Sequence, residues 1–418
     1  MIGVDIEMEN IAVISVGDEL LFGEIDNTNA SWIAERFVDN GCQVNEIVTV
    51  PDKIDVIASR LKRLQSEYKN IIITGGLGPT QDDITRDGVA QAFDKELVYH
   101  DKLADNINAF FEEIGKEVTE NNYSQAFLPQ GAEPIINKEG TAPGFYLVIE
   151  GTTVFVLPGV PVEMKKMIDN FVLDKVCKSR RQNGYNLTLN VAGIGEAALE
   201  DRIKEIINKS EGIVFRFLPH GGEISIKLSL KPGFDVDNFA KVVAEIKDEL
   251  GYYIFAEGDK SLAEVVSDLL GENNFSLALA ESCTGGLIAK RLTDIPGASN
   301  FFKGGVVVYS NESKLRLLNL SEETLERDGA VSRSAADQMA DKVRELFNAD
   351  FGVSVTGIAG PGGGTEEKPV GLVYSTIRSN TGKFQEKWNF SGDRRKIRWY
   401  ASQYILNKLR LAILEAIK

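Results

Sequence analysis

The sequence predicts an α/β protein of three domains: an N-terminal three-layer domain with a mostly parallel sheet (1–175), a small βαββαβ middle domain (176–257) and a C-terminal α/β domain (258–418). Three observations carry this expectation. Apolar runs of strand length alternate with segments of helical spacing in the first domain, which builds a parallel sheet covered by helices. The stretch Tyr185–Glu257 then changes rhythm to the order of a split βαβ unit. Finally, 418 residues exceed what one hydrophobic core organises.

In the first domain Ile11–Val16 reads as a strand, Asn27–Asp39 as a helix, Gln43–Val50 as a strand, Ile54–Ser66 as a helix and Asn70–Thr74 as a buried strand. Asp101–Gly115 is expected as a helix outside the sheet. Tyr146–Ile149 and Thr153–Leu157 form a strand pair, followed by the helix Met164–Val172. Open sheets of this kind bind ligands beyond the carboxyl ends of their strands. Unusual clusters fall at turns and strand ends: Gly17-Asp18-Glu19, Gly75 to Asp83, Gly140 to Phe145 and Pro158 to Glu163. Their Gly/Pro turns suggest the rim of one pocket.

The glycines of Gly75-Gly76-Leu77-Gly78 would let the backbone approach a phosphate, with Thr80 and Thr85 adding hydroxyls. Asp82 and Asp83 offer hard oxygens to a divalent ion that would bridge to that phosphate. The loop is neither a P-loop nor the G-x-G-x-x-G dinucleotide fingerprint. A polar turn in which Asp82 or Asp83 caps the next helix accounts for the same residues without chemistry.

In the middle domain, strands Leu187–Ala192, Ile213–Leu218, Glu223–Leu230 and Tyr252–Phe255 enclose helices Glu196–Asn208 and Val236–Leu250, with His220-Gly221-Gly222 as a hairpin turn. Gly193-Ile194-Gly195-Glu196 does not read as the loop of a KH nucleic-acid module, and no basic stripe accompanies it. The segment is expected to be structural, as a spacer or the contact of a homodimer. Asp259-Lys260-Ser261 reads as a linker.

The last domain opens with the helix Leu262–Leu270 and the buried strand Leu277–Ala280, followed by a helix starting at Ser282 or just after it. A hydroxyl there would sit beside free helix N–H groups, which favour developing negative charge and can hold the oxyanion of an attacked carbonyl. An N-cap role for Ser282 or Thr284 explains the same placement. A nucleophilic serine needs a base. The only histidines, His100 and His220, lie outside this half, which excludes a histidine triad built within it. Val306–Val308 is a strand running into a polar turn that ends at Lys314. A lysine with a lowered pKa would serve as base, with Tyr309 relaying or orienting; the plain alternative is a solvated lysine.

Helices Ser321–Asp328 and Ser334–Phe347 follow, then the strand Phe351–Val355, ending in Thr356-Gly357 and a glycine-dense loop suited to a second phosphate. Val370–Ile377 and Phe384–Phe390 are expected as paired strands. Ser391 to Arg395 then opens a long helix with the apolar face Ile397, Ala401, Ile405, Leu409 and Ala412. Arg394 is placed to grip a phosphate; Arg395 reads as a surface arginine.

A net charge of −16 disfavours contact with nucleic-acid backbones. Cys42, Cys177 and Cys283 are too few and too scattered for a disulfide framework or a zinc site, which fits a reducing cytoplasm. No apolar run reaches membrane-spanning length, and Met1–Asn10 lacks a signal-peptide pattern, so a cytoplasmic location away from membranes is expected.

Taken together, the motifs resemble those of the competence-damage-inducible A (CinA) family along nearly the whole chain. Gly17-Asp18-Glu19-Leu20-Leu21, Thr28-Asn29, Thr74 to Thr80 with Asp82-Asp83, Gly140 to Gly144, and Leu157 to Pro161 with Glu163 resemble its molybdopterin-binding-like domain. Ala280-Glu281-Ser282-Cys283-Thr284-Gly285-Gly286, Tyr309 to Glu312 with Lys314, Gly329 to Ser332, Thr356 to Pro361, Lys368 to Gly371 and Ser391 to Arg394 resemble its nicotinamide-nucleotide amidase domain.

The resemblance implies that the last domain hydrolyses nicotinamide mononucleotide to nicotinate mononucleotide and ammonia without a cofactor. Ser282 would be the nucleophile, Lys314 the base and Tyr309 an assistant, with Thr284, Gly285, Thr356, Gly357 and Arg394 binding substrate. Cys283, beside Ser282, is a rival nucleophile that would point elsewhere. For the first domain the resemblance implies a metal-dependent pyrophosphatase acting on ADP-ribose. Asp82 and Asp83 would lie at the divalent metal, with Gly75, Gly76, Thr80, Asn29, Glu19, Thr141 and Glu163 around the ligand. Both substrates are breakdown products of NAD. The rival readings are a molybdopterin-binding protein and a non-enzymatic partner in competence or DNA repair.

Overall fold

The computed structural model describes residues 10–177, 186–231 and 233–418. The stretch 1–9 and residues 178–185, just after the expected boundary at 175/176, lie outside the described residues. The chain divides into two units, Met1–Asn186 and Leu187–Lys418, so the middle segment packs with the last domain.

In the first unit a six-stranded sheet runs in the order Val44–Val50, Ile11–Val16, Asn70–Thr74, Thr152–Leu157, Gly144–Ile149, Glu133–Ile135. The first four strands are parallel and the last two antiparallel. Alternation along a strand assigns its side chains to two faces. Ile11 and Val13 pack with Ile33 and Phe37 of helix Thr28–Asp39 and with Met164 and Ile168. Ala12, Ile14 and Val16 pack with Ile57 and Leu61 of helix Ile54–Gln65, with Val89 and with Ile107. Three layers result, as the alternating pattern predicts. Elements not expected include the short helix Asp18–Leu21, the helix Thr85–Ala92, the paired strands Leu97–Tyr99 and Phe127–Pro129, and the edge strand Glu133–Ile135.

One expectation is corrected here. Cys42 and Cys177, separated by 135 residues, form a disulfide. Both lie buried in one apolar cluster, because the turn after helix Thr28–Asp39 and the end of the helical run from Pro161 to Val176 pack on the same sheet face. Spacing along the chain could not show this. Cysteine usage therefore no longer argues for a reducing compartment. No helix among the described residues is long and apolar enough to cross a membrane.

The second unit holds two sheets. The smaller has the order Ile213–His220, Glu223–Leu230, Asn186–Ala192, Ile254–Glu257, with helices Glu196–Lys209 and Val236–Leu250, giving the expected βαββαβ sequence. Gly221 and Gly222 make the hairpin turn at φ +57° and +96°. The larger sheet has the order Phe302–Val307, Leu277–Glu281, Phe351–Gly357, Leu372–Arg378, Lys383–Asn389; its first three strands are parallel. Leu277 and Leu279 face the helices Leu262–Glu272 and Arg394–Ile417, while Ala278 and Ala280 face the helix Arg333–Phe347. The predicted face of the last helix is buried.

Where the small sheet meets the last domain, Glu223 lies against Gln403, 3.7 Å from His220 Nδ1. Arg291 donates to Ser402 Oγ at 2.9 Å and to Gln403 Oε1 at 2.5 Å, and its guanidinium lies 4.4 Å from the centroid of the Trp399 ring. Burial pushes the Glu223 carboxyl up to about 7, with Arg291 pulling the other way. A raised folded pKa stabilises the protonated form. That stability is fully present below the unfolded value near 4.5 and is lost as pH rises through about 7. It is worth at most about 3 kcal/mol. Thermal melts between pH 5 and 8 are expected to show wild type losing stability relative to Glu223→Gln. Parallel curves for the two proteins refute the assignment.

Candidate active site

In the larger sheet, Leu277–Glu281 is central, with Phe302–Val307 on one side and Phe351–Gly357 on the other. The chain crosses from one side to the other, so the carboxyl ends of Leu277–Glu281 and Phe351–Gly357 flank a topological switch point. Ser282 stands there, its N–H bonded to Val355 O at 2.9 Å.

The helix after Ser282 begins only at Leu287, which corrects the expectation of a helix starting at the serine. Gly285 and Gly286 adopt φ of +60° and +89°, which breaks helical geometry between them. The buried Glu281 carboxylate then takes the N–H groups of Gly286 (3.0 Å), Ile288 (3.2 Å) and Ala289 (2.8 Å), and the Thr284 hydroxyl (2.6 Å). The helix donors expected to hold an oxyanion are thus spent on Glu281. The N–H groups of Cys283 and Thr284 donate to no backbone carbonyl among the described residues and lie against the Cys283 sulfur. Arg398 holds the Thr284 carbonyl from the other side, at 2.6 Å from Nη2.

Lys314 lies in helix Asn311–Leu318, which the Ser310 side chain caps. It is 1 % exposed. Its Nζ lies 3.2 Å from Ser282 Oγ and donates to Val308 O at 2.7 Å. The one ionisable side chain among the described residues that acts on its charge is the Cys283 thiol. Burial pushes its pKa below the ordinary lysine value. A solvated surface lysine is therefore ruled out. Burial pushes the Cys283 thiol up to about 12, which leaves almost no thiolate near neutral pH.

The other residues divide. The Tyr309 hydroxyl meets Arg394 Nη2 at 2.5 Å, not the serine or lysine, and Arg394 Nη1 donates to Gly360 O at 2.9 Å. The Thr356 hydroxyl is taken by Ala330 O at 2.7 Å, and that of Thr284 by Glu281. Both threonines are buried and shape the loops. Gly357 ends its strand where a Cβ would strike the Leu372 carbonyl, and Gly285 packs near Arg398. Sequence reasoning missed Glu281 and Arg398 as positioning residues. An acid just before a glycine-broken helix start was a legible signal for Glu281; Arg398 left none.

In the first unit a cleft of about 280 Å³ opens at the carboxyl ends of the parallel strands. Glu19, Asn29, Gly75, Gly76, Asp82 and Asp83 line it as expected, together with Asp26 and Asp52, which were not anticipated. Gly75 and Gly76 have φ of +107° and +65° and pack so closely on Val16 and Thr85 that no Cβ fits. Buried Arg86, also unanticipated, holds the loop through Leu77 O (2.8 Å) and Gly78 O (3.0 Å). Thr80 does not line the cleft. Its N–H and hydroxyl bond to Asp83 at 2.9 and 2.5 Å. Thr141 and Glu163 are also absent from the lining: Glu163 accepts from Asn137 at 2.6 Å beside Gly140, and Thr141 borders a separate small cavity. The single rim expected for all the Gly/Pro turns is corrected to that extent.

No three His, Cys, Asp or Glu side chains among the described residues are gathered closely enough to hold a metal ion. The donor chemistry nevertheless suits a divalent cation. Burial and then the charges of Asp18, Glu19 and Asp82 raise the Asp52 carboxyl, a repulsion such an ion would relieve. Asn29 Oδ1 is also buried without a hydrogen-bond partner.

Comparison with known proteins places this architecture. A CinA-like protein of Dictyoglomus thermophilum is 40% identical over 405 residues, covering 96% of this chain and 98% of its own. The chain belongs to the CinA family. A CinA-like protein of Kosmotoga olearia is 37% identical over 412 residues, covering 97% of this chain and 99% of its own. Three family models match in sequence: a probable molybdopterin binding domain at 12–178, the damage-inducible protein CinA KH domain at 187–256 and the CinA C-terminal domain at 259–413. The middle match corrects the exclusion of a KH module. That exclusion rested on one four-residue turn, whereas the match spans the whole βαββαβ segment. Among solved structures, the competence/damage inducible protein CihA of Agrobacterium tumefaciens aligns at 40% identity and TM-score 0.36, covering 37% of this chain and 93% of its own.

Proposed function

We propose that the last domain of this CinA-family protein hydrolyses the amide of nicotinamide mononucleotide, with Ser282 as nucleophile and Lys314 as general base. The observation that carries this reading is the buried Lys314 amine 3.2 Å from Ser282 Oγ. Neutral Lys314 takes the Ser282 proton as Oγ bonds to the amide carbon. The N–H groups of Cys283 and Thr284 receive the oxyanion. The C–N bond breaks as Lys314 returns the proton to the departing ammonia, leaving an ester on Ser282. Water then attacks the ester, Lys314 takes its proton, and nicotinate mononucleotide leaves as Ser282 is reprotonated. Arg394, held by Tyr309 and Gly360, is the cation for the substrate phosphate. Tyr309 thereby acts through Arg394 rather than on the reacting atoms.

Ammonia release from nicotinamide mononucleotide, with and without EDTA, tests this. Release that survives EDTA is expected. No release from wild type sinks the reading and favours a non-enzymatic competence partner.

The crowded carboxylates and orphaned Asn29 Oδ1 support a second reading, for the first domain: cleavage of the diphosphate of ADP-ribose. Asp82 and Asp83 would hold a divalent ion, which would neutralise the diphosphate and polarise it towards water. Gly75 and Gly76 let the diphosphate approach the backbone. Asp82→Asn is expected to lower metal-dependent ADP-ribose cleavage at least about tenfold while leaving ammonia release unchanged. Binding of a molybdopterin without any turnover of ADP-ribose favours the cofactor-binding alternative.

A further inference from the structure

The middle segment builds an apolar cluster of its own around Leu199, Ile226 and Ile246. Its hairpin turn leaves that cluster and is fitted to the last helix, Arg394–Ile417. The Trp399 indole N–H donates to Gly221 O at 2.9 Å. At φ +57° and +96° the two glycines bring the turn down onto the helix. A Cβ on Gly221 would strike the Trp399 ring nitrogen, and one on Gly222 would sit 3.3 Å from the Tyr400 ring and 3.4 Å from that of Tyr404. The Gln403 amide, 2 % exposed, is engaged from both sides: its nitrogen donates to Glu223, and its oxygen accepts from Arg291. From there two routes lead to the nucleophile turn. Trp399 follows Arg398, whose guanidinium holds the Thr284 carbonyl. Arg291 belongs to helix Leu287–Thr293, whose first N–H groups are fixed on Glu281. Both routes end on the turn 281–286 that carries Ser282.

We propose that the hairpin 220–223 is a positioning element of the amidase site, and that the middle segment serves this chain by holding the turn 281–286 in place through Trp399, Gln403 and Arg291. The inference rests on the reading of Ser282 and Lys314 as an amidase pair. A contact that only joined two domains would be met by apolar side chains. This one is made of directional bonds to a buried amide. Removing the Glu223 acceptor leaves the Gln403 nitrogen buried without a partner, which costs more than the bond itself was worth. Gln403 then shifts to find another acceptor, and Arg291, which donates to Gln403 and Ser402, shifts with it. The consequence at the site is large for a small movement. The Thr284 N–H is one of the two donors assigned to the oxyanion, and a misplacement of about 1 Å there weakens its bond in the transition state. Substrate binding is affected less. The phosphate is assigned to Arg394, whose own bonds go to Tyr309 and Gly360 O, outside this set of contacts. The hairpin therefore acts on kcat and not on KM.

The test is steady-state ammonia release from nicotinamide mononucleotide by the full chain, each variant assayed below its melting temperature. Wild type is compared with Glu223→Ala, Glu223→Gln, Gly221→Ala and Gly233→Ala. Glu223→Gln still offers an amide oxygen to Gln403. Gly221→Ala drives the turn against Trp399. Gly233→Ala is the control for backbone strain: it too has a positive φ, +84°, but its Cβ would meet nothing within 4 Å. The expected result is a kcat about tenfold lower in Glu223→Ala and Gly221→Ala, with KM within about twofold of wild type. Glu223→Gln and Gly233→Ala should keep kcat within about twofold of wild type. Wild-type kcat in Glu223→Ala overturns the proposal while leaving the amidase reading standing. An equal loss in Gly233→Ala also overturns it, by showing that strain anywhere in the middle segment has the same effect. So does a loss in Glu223→Gln as large as in Glu223→Ala, since the bond to Gln403 would then not be what matters. A raised KM with kcat unchanged assigns the hairpin to substrate binding and overturns its action on the nucleophile turn. If Gly221→Ala does not fold, the two Glu223 variants decide. No ammonia release from wild type fails the amidase reading and takes this inference with it.

Discussion

Ser282→Ala is expected to abolish ammonia release from nicotinamide mononucleotide, with a fall of about 10⁴-fold or more, because no other group at the site can form the ester. The adjacent Cys283 cannot substitute. Its thiol is buried and pushed up to about 12, so thiolate is scarce wherever the enzyme would work. The fold should survive. The serine backbone, not its hydroxyl, makes the bond to Val355 O, and Glu281 rather than Ser282 ties down the following helix. Circular dichroism and the melting profile should therefore match wild type. An alanine variant that keeps more than about a tenth of the activity removes Ser282 as nucleophile. ADP-ribose cleavage, if present in wild type, should be untouched and provides the internal control.

Lys314→Met is expected to be as inactive as Ser282→Ala, yet more stable to heat than wild type near neutral pH. The two effects have one cause. Burial lowers the Lys314 pKa, so folding disfavours the charged amine that the unfolded chain carries. Because the folded pKa is depressed, the resulting stability is full above the unfolded lysine pKa and is lost as pH falls through the folded one. Methionine carries no such cost, and its volume fills the space. The lost bond to Val308 O works against the gain, since that carbonyl would be left without the lysine donor. A buried ionisable group generally costs more than one such bond. In wild type the same shift predicts that activity rises with pH through a pKa below that of an ordinary lysine. Lys314→Arg should not restore activity, because a guanidinium does not deprotonate in this range. A pH–rate profile that is flat through this region, or an active Lys314→Met, would falsify the base assignment. Inactivity accompanied by a lower melting temperature would mean that Lys314 serves the fold first.

The order of strands and helices was legible because the signals are local: a short apolar run in Ile11–Val16, buried along its whole length, and i, i+4 recurrence in the face Ile397, Ala401, Ile405, Leu409. For the same reason Ser282 could be placed at a strand end and Gly75-Gly76 at another. The absence of a histidine from the last domain pointed to a lysine base, and this too needs only the sequence. What the sequence could not supply is which groups consume one another. Glu281 and Ser282 are neighbours in the chain, but only the folded turn at Gly285 and Gly286 brings the helix N–H groups onto the carboxylate and away from the serine. Thr284 and Thr356 looked like ligand hydroxyls and are spent on Glu281 and Ala330 O. The Lys314–Ser282 contact spans 32 residues, and the Cys42–Cys177 pairing spans 135. Both depend on how crossover connections return the chain to the sheet. Local composition decided which segments become strands and helices. Burial and partnership, which set the pKa of Lys314 and the role of Glu281, are properties of atoms from distant segments and arise only when the sheet is assembled.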